Sequence, residues 1–351
     1  MSLLLTCPAG LEDLVRGDLL ERDEVRSVLA GPGTVRCDSA VERDRLPAMV
    51  DRVAVPLDLP DDGGTAAETA SAVGEIPWDS YGLGASVTFR VHLPGSAEQK
   101  RRAGIIDAVQ DRLGWRNDPS HWAVNLDLSR EATQSGSARA ELGPWAWAAR
   151  YGAFERLPAT TPGPVSAGLV RLAKLQDGQT LLDVCGGVGT VPVLDGMLRV
   201  GRSISVDNDG ASVAAARHNI ASHGLGGRVE VIEADAADLP LPDGSVDRVV
   251  SDLPFGKRIG SNELNRTLYP AILREIERVL TADGRCVLLS DDKRVFAESV
   301  AKARGLKIVG ERVIRYNGVT PTAYIVRRSR RPKSRGRMSP GQASGRTKIS
   351  P

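Results

Sequence analysis

Cysteine is scarce in this chain: Cys7, Cys37, Cys185 and Cys286 are the four present, far apart and with no C-x-x-C pair. Histidine is as rare, with four copies. That pattern gives no basis for a disulfide framework or a structural metal site, and it fits a reducing cytoplasm. Long apolar runs are missing as well. No stretch nears the roughly 18 residues a membrane helix needs. Met1-Ser2-Leu3-Leu4-Leu5-Thr6 lacks the basic region and apolar length of a secretory signal. Aromatics make up only 4% of the 351 residues, yet a hydrophobic share of 41% suffices for buried cores, and the length fits two or three domains.

Acids are absent from one region. Residues 327–351 hold nine Lys or Arg and no Asp or Glu, so the net charge of +2 hides a body, residues 1–326, of net −7. This end is rich in Ser, Gly and Pro, has little to bury, and is expected to be a disordered basic tail. Through Arg327, Arg328, Arg330 and Arg331 it can hold a phosphate backbone by counterion release. A solubilising end without a specific partner is the equal alternative.

What is present is chemistry placed at strand ends. Val246, Val249 and Val250 read as a buried strand that delivers Ser251-Asp252-Leu253-Pro254-Phe255-Gly256 at its carboxyl end, where open α/β sheets bind ligands. An acidic side chain, one residue, a proline and an aromatic suit methylation of the amino group of a base. The Asp252 carboxylate and the Leu253 carbonyl accept the amine hydrogens, Pro254 holds the turn, and Phe255 stacks on the base. The bland alternative is a strand running into a Pro-punctuated turn.

About 65 residues earlier, the strand-like Thr180 to Val184 leads into Asp183-Val184-Cys185-Gly186-Gly187-Val188-Gly189-Thr190, before a helix expected from about Val191. Glycines at such a turn admit a ligand to the backbone, and the helix start offers free N–H groups. A nicotinamide fingerprint needs its third glycine where Pro192 stands. The S-adenosylmethionine loop of class I methyltransferases is the closer pattern, with Asp183, Cys185, Gly186, Gly187, Gly189 and Thr190 around the donor. Ser203 to Val206 then reads as a strand ending in Asp207, a carboxylate for ribose hydroxyls, with Asn208 along the adenine. After a helix over Ala211 to Ser222 and a strand over Val229 to Ile232, Asp235 is placed to accept the adenine amino hydrogens and the Ala236 N–H to reach a ring nitrogen. Any one of these acids reads as a solvated loop residue. Four features in this order, each at a strand end, do not read as coincidence.

Ahead of that half, strands over Leu3 to Thr6, Val25 to Ala30, Thr34 to Cys37 and Val53 to Val55, with helices over Gly10 to Arg22 and Arg43 to Val50, give a βαββαβ order, the split ferredoxin-like arrangement. Thr65 to Gly74 reads as a surface loop. A second unit has a strand over Ser86 to His92, a helix over Glu98 to Leu113 and a strand over Trp122 to Leu128, and Ser129 to Gly143 reads as a connection. Trp78, Trp115, Trp122, Trp145 and Trp147 all precede the C-terminal half, where packing is a more economical role than base stacking. Lys100, Arg101, Arg102 and Arg112 mark either an RNA-facing helix or a solvated face.

Taken together, the chain resembles the THUMP-containing RNA guanine-N2 methyltransferases. The local matches are Thr6-Cys7-Pro8-Ala9-Gly10-Leu11-Glu12, Thr161-Pro162-Gly163-Pro164-Val165-Ser166-Ala167, Cys185-Gly186-Gly187-Val188-Gly189-Thr190, and Asp252 to Asn262 followed by Leu268-Tyr269-Pro270. The likeness is close over about 160–326 and architectural over 1–150. Asp252 and Phe255 stand where many relatives have Asn and Tyr.

The resemblance implies an α/β architecture: a ferredoxin-like unit over 1–60, a THUMP-like RNA-binding unit over 61–135, a linker over 136–160, and a class I Rossmann-like methyltransferase domain over 161–326. That domain should carry a seven-stranded, mostly parallel sheet, followed by the basic tail 327–351. It also implies S-adenosylmethionine as cofactor, guanosine N2 in RNA (most directly tRNA) as target, Lys257 and Arg258 as further RNA contacts, and a cytoplasmic monomer without metal. Two alternatives stay open: a methyltransferase for another amine (rRNA guanine N2, DNA adenine N6 or protein glutamine), and a non-catalytic RNA-binding protein with a relic cofactor fold.

Overall fold

Three consecutive leucines cannot all face one way in a strand, and β1 (Leu3–Thr6) accordingly buries both of its faces in a sheet interior. The computed structural model describes residues 2–21, 26–38, 41–60, 63–84, 86–129, 138–254 and 262–329. After β1 come helix α1 (Glu12–Leu20), β2 (Ser27–Gly31), β3 (Thr34–Cys37), a 3-10 turn (Arg43–Arg45) and β4 (Arg52–Pro56). The spatial order β2-β3-β1-β4, antiparallel throughout, is the split arrangement read from the sequence. Its second helix is missing. Pro47 pushes Leu46 to extended backbone (φ −65°, ψ 141°) and ends the turn at Arg45.

The expected surface loop before the second unit is a helix, α2 (Ala66–Gly74). A capping box starts it: the Glu68 N–H donates to Thr65 Oγ1 (3.2 Å) and the Thr65 N–H to Glu68 Oε2 (2.7 Å). Its small residues, which looked like loop composition, let it pack closely on α3 (Gln99–Leu113). Strands β5 (Thr88–His92), β6 (Arg116–Asn117) and β7 (Val124–Asp127) follow.

The larger correction concerns the stretch assigned to a connection and linker, because Arg139–Leu142 forms strand β8. It pairs with β4 on one side and β7 on the other, so both N-terminal units share one eight-stranded sheet, β2-β3-β1-β4-β8-β7-β5-β6. Ala140 and Leu142 are buried with the core, while Arg139 and Glu141 meet Asp127 and Asn125 on the other face. A short helix, α4 (Trp147–Tyr151), leads out. The tryptophans pack. Trp78 lies edge-on to Trp115 with centroids 5.0 Å apart, and the Nε1–H groups of Trp145 and Trp147 donate to the Tyr81 and Ala48 carbonyls, both at 3.0 Å.

The C-terminal half runs α5 (Gly163–Ala173), β9 (Thr180–Asp183), α6 (Thr190–Leu198), β10 (Arg202–Asp207), α7 (Gly210–Ser222), β11 (Val229–Glu233), β12 (Val246–Asp252), α8 (Asn262–Val279), β13 (Leu280–Ser290), α9 (Lys293–Lys302), β14 (Leu306–Val313) and β15 (Thr322–Arg328). The sheet order is β11-β10-β9-β12-β13-β15-β14, and β15 runs antiparallel to both neighbours. Strand order reverses between β9 and β12, which opens a crevice at their carboxyl ends. Helix α8 runs unbroken through Pro270. Tyr269, Ile272, Leu273, Ile276 and Val279 hold it on the sheet by burial. The N-terminal half is fixed to this one. Ala9 and Arg315 exchange backbone hydrogen bonds (3.2 and 2.8 Å), and Arg312 donates to Asp13 (2.8 Å) and Arg171 to Asp18 (2.6 Å).

The closing strand also corrects the tail. Arg327 and Arg328 are the last rungs of β15, so any tail starts after them. Because β15 runs antiparallel, its end emerges at the amino edge of the parallel strands, and Arg327 pairs with Arg285 there. Arg328 donates to the Glu277 carbonyl (2.5 Å). Neither faces the crevice. Arg330 and Arg331 lie outside the described residues.

Candidate active site

Two neighbouring strands end in carboxylates that are tied to each other's loops. Asp183, at the end of β9, accepts from Ser251 Oγ of β12 (2.7 Å) and from the Cys185 N–H (3.3 Å), and the Cys185 N–H also reaches Ser251 Oγ (3.1 Å). Burial pushes the Asp183 carboxyl up to about 7, against the pull of those two donors and with a further push from Asp207. The loop must then pass close to β10. A Cβ on Gly186 would stand 2.0 Å from Ser205 Oγ, so a larger residue would have to displace that hydroxyl. Gly187 has φ +51° and donates its N–H to Asp207 Oδ2 (2.8 Å), while the Asp209 N–H holds Asp207 Oδ1 (3.0 Å). Both oxygens are thereby oriented, each with lone pairs to spare.

These residues line a cleft of about 1000 Å³. Asp183, Cys185, Gly186, Gly187, Thr190, Asp207, Asn208, Asp235, Ala236, Asp252, Leu253 and Pro254, all singled out from sequence, meet there. Gly189 does not line it; it caps α6 and packs on Ala216. Asp235 accepts the Ala237 N–H at one oxygen (2.8 Å). Phe255, Lys257 and Arg258 lie outside the described residues.

Asp252 ends β12. Its Oδ2 accepts from Thr161 Oγ1 (2.6 Å), and its Oδ1 is buried without a partner among the described residues. Burial raises this carboxyl to about 7; the Thr161 hydrogen bond opposes the rise and the Asp183 charge adds to it. The turn after it is held from behind. The Leu253 N–H donates to the Leu289 carbonyl (2.9 Å), and the Pro254 carbonyl accepts from Tyr269 Oη (2.8 Å) and Asn265 Nδ2 (3.3 Å).

Sequence reasoning missed several of these residues. Thr161 was noted only as part of a run, and nothing in that run announces its partner 91 positions on. Asn265 was not singled out, and Tyr269 was noted only within the Leu268-Tyr269-Pro270 match. The turn Tyr316 to Thr320, between β14 and β15, forms another wall of the cleft. Asn317 and Gly318 both have positive φ there (46° and 76°), and Asn-Gly is the usual signal for such a two-residue hairpin turn. Among the described residues no three His, Cys, Asp or Glu gather as a metal site would require, and no helix is long and apolar enough to cross a membrane.

Residues 156–321 match the family model UPF0020, described as RMKL-like, methyltransferase domain. The chain is 31% identical over 258 residues to the tRNA (guanine(6)-N(2))-methyltransferase THUMP3 of Bos taurus, covering 68% of this chain and 49% of that protein. Against the U6 snRNA (guanine-N(2))-methyltransferase THUMPD2 of Bos taurus it is 30% identical over 131 residues, 36% of this chain and 24% of that one. It thus spans about half the length, or less, of these curated relatives. Among solved structures, TrmN from Thermus thermophilus superposes with a TM-score of 0.74 at 22% identity, covering 93% of this chain and 99% of that one.

Proposed function

We propose that the chain, whose residues 156–321 match the UPF0020, RMKL-like methyltransferase domain model, transfers a methyl group from S-adenosylmethionine to the exocyclic N2 of a guanosine in RNA, most directly tRNA. The observation that carries this is the Asp252 carboxylate, with one oxygen held by Thr161 and the other buried and unpaired in the crevice beside the glycine loop.

The residues on the β9–β10–β11 side fit the methyl donor. Gly186 lets the loop lie against Ser205 of β10, and Asp207, oriented by two N–H groups, keeps lone pairs for a pair of ribose hydroxyls. Asn208, Asp235 and Ala236 line the continuation of the cleft, where an adenine ring would lie. When bound, S-adenosylmethionine supplies an electrophilic methyl on a sulfonium.

On the β12 side, the guanine amine is weakly basic because its lone pair is shared with the ring. The protein therefore has to hold that amine in line and stabilise the positive charge developing on it. Asp252 Oδ1 accepts one amine hydrogen and the Leu253 carbonyl the other. A carboxyl raised to about 7 is suited to take the proton that must leave nitrogen. Thr161 fixes which oxygen faces the substrate. A stacked or paired nucleotide must be turned out to reach this crevice.

The test is single-turnover transfer of labelled methyl to unmodified total tRNA, followed by nucleoside digestion. N2-methylguanosine is expected, and Asp252→Ala should slow its formation about 100- to 1000-fold with donor affinity nearly kept. Methylated adenosine, or full activity in Asp252→Ala, would refute the reading.

A further inference from the structure

Three side-chain oxygens of cleft-lining residues are buried without a partner among the described residues: Ser166 Oγ, Asp252 Oδ1 and Asn265 Oδ1. A hydroxyl rotates to donate or accept, so Ser166 gives no direction. The other two, as carboxylate and amide oxygens, are acceptors. Asn265, in α8, is 1% exposed, and its Nδ2 donates to the Pro254 carbonyl (3.3 Å) and the Tyr269 hydroxyl (3.4 Å). A carbonyl oxygen only accepts, so the amide cannot be turned round, and Oδ1 is the end left over. Both unpaired acceptors are thus tied to one turn, since Asp252 belongs to it and Asn265 grips it at Pro254. A buried acceptor without a donor is unfavourable, and a ligand that brings the donor removes the penalty.

We propose that Asn265 reads the base: its Oδ1 accepts the N1–H of guanine while Asp252 Oδ1 accepts a hydrogen of the adjacent N2 amine. This rests on the role given to Asp252 above. Guanine alone among the common bases carries two kinds of donor side by side on this edge. Adenine sets the N1 lone pair, and cytosine the N3 lone pair, beside its amine, and either would face Asn265 Oδ1 with a second acceptor. Asn265 therefore separates guanine from the other amine-bearing bases.

The experiment titrates the complex of the full chain with S-adenosylhomocysteine against four nucleoside monophosphates. GMP has both donors, IMP has N1–H without the amine, 2-aminopurine nucleotide has the amine without N1–H, and AMP has neither arrangement. Wild type should prefer GMP over AMP by about 10-fold or more. Asn265→Leu should weaken GMP and IMP and spare 2-aminopurine, whereas Asp252→Ala should weaken GMP and 2-aminopurine and spare IMP. S-adenosylhomocysteine affinity, unchanged in both, reports an intact fold. Tyr269→Phe loosens the same turn but leaves Asn265 Oδ1 in place, so it should lower all four affinities by a common factor. No GMP preference in wild type, or an Asn265→Leu effect equal across the four nucleotides, overturns the proposal. A guanine-specific pattern without methyl transfer to tRNA would sink the tRNA reading alone. N2-methylguanosine formation with an unaltered GMP preference in Asn265→Leu would sink this inference alone.

Discussion

Replacing Thr161 by valine removes a single hydroxyl and keeps the side-chain shape. The Thr161 Oγ1 hydrogen bond to Asp252 Oδ2 spans 2.6 Å and opposes the rise that burial imposes on the carboxyl. Hydrogen bonds to a charged acceptor contribute about 1.5–3 kcal/mol. Their loss should lift the Asp252 value from about 7 by roughly one to two units, since one unit corresponds to about 1.4 kcal/mol.

In the proposed reaction transfer needs the ionised carboxylate, so the rate should rise with pH and level off above that value. In Thr161→Val the rise should move to higher pH by the same one to two units. At about pH 7.5 the variant should then be slower by roughly 3- to 25-fold, and most of the loss should disappear near pH 9.5. The groups around Asp252 are Asp183 and Cys185 on the neighbouring loop and Tyr269 of α8. Asp183 also titrates near 7, so donor affinity is measured by calorimetry at each pH to separate a donor effect from a chemical one. The assay is single-turnover methyl transfer from about pH 6 to about pH 9.5 for wild type, Thr161→Val and Thr161→Ser. Serine should restore the wild-type midpoint. An unshifted midpoint in Thr161→Val would refute the reasoning, however slow the variant is.

Asp207→Ala should weaken S-adenosylmethionine by about 1.5–3 kcal/mol for each charged hydrogen bond lost, and calorimetry on a folded variant decides it. Asp183 is raised from 3.8 to about 7 in the folded chain. The folded state therefore binds the extra proton between those values, so this group's contribution to stability is full at low pH and is lost as pH rises through about 7. Asp183→Asn should flatten that dependence and raise the melting temperature at about pH 8 relative to wild type, by denaturation of the ligand-free protein. An unchanged pH dependence would mean the carboxyl ionises freely. Deleting 330–351, which leaves β15 intact, should weaken RNA binding with a shallower salt dependence and leave donor binding alone; identical salt slopes would make the segment a solubiliser.

The legible part of this protein was whatever repeats along the chain or must sit at a strand's end. In a parallel sheet all carboxyl ends lie on one edge, so reading apolar strands followed by Asp183, Asp207, Asp235 and Asp252 was enough to place four acids together without knowing the path between them. Glycine at 186 was readable as a turn residue, but the close approach to Ser205 on β10 that calls for it was not. Elements built from small or alternating residues were not legible. Helix α2 looked like a loop because its Ala, Ser and Gly residues serve close helix packing. Strand β8 looked like a connection because Arg139 and Glu141 find their partners on β7 and β4, distant along the chain.

The sequence by itself determined the order of motifs and the chemistry each could perform, because those follow from local periodicity and residue type. The tertiary structure alone decided which oxygen of Asp252 Thr161 holds, which end of the Asn265 amide is left without a partner, and that Arg327 and Arg328 emerge on the edge away from the cleft. Each of these depends on contacts between segments tens of residues apart or on the direction of a strand, and neither a partner across the fold nor a strand's direction leaves any mark on neighbouring residues in the chain.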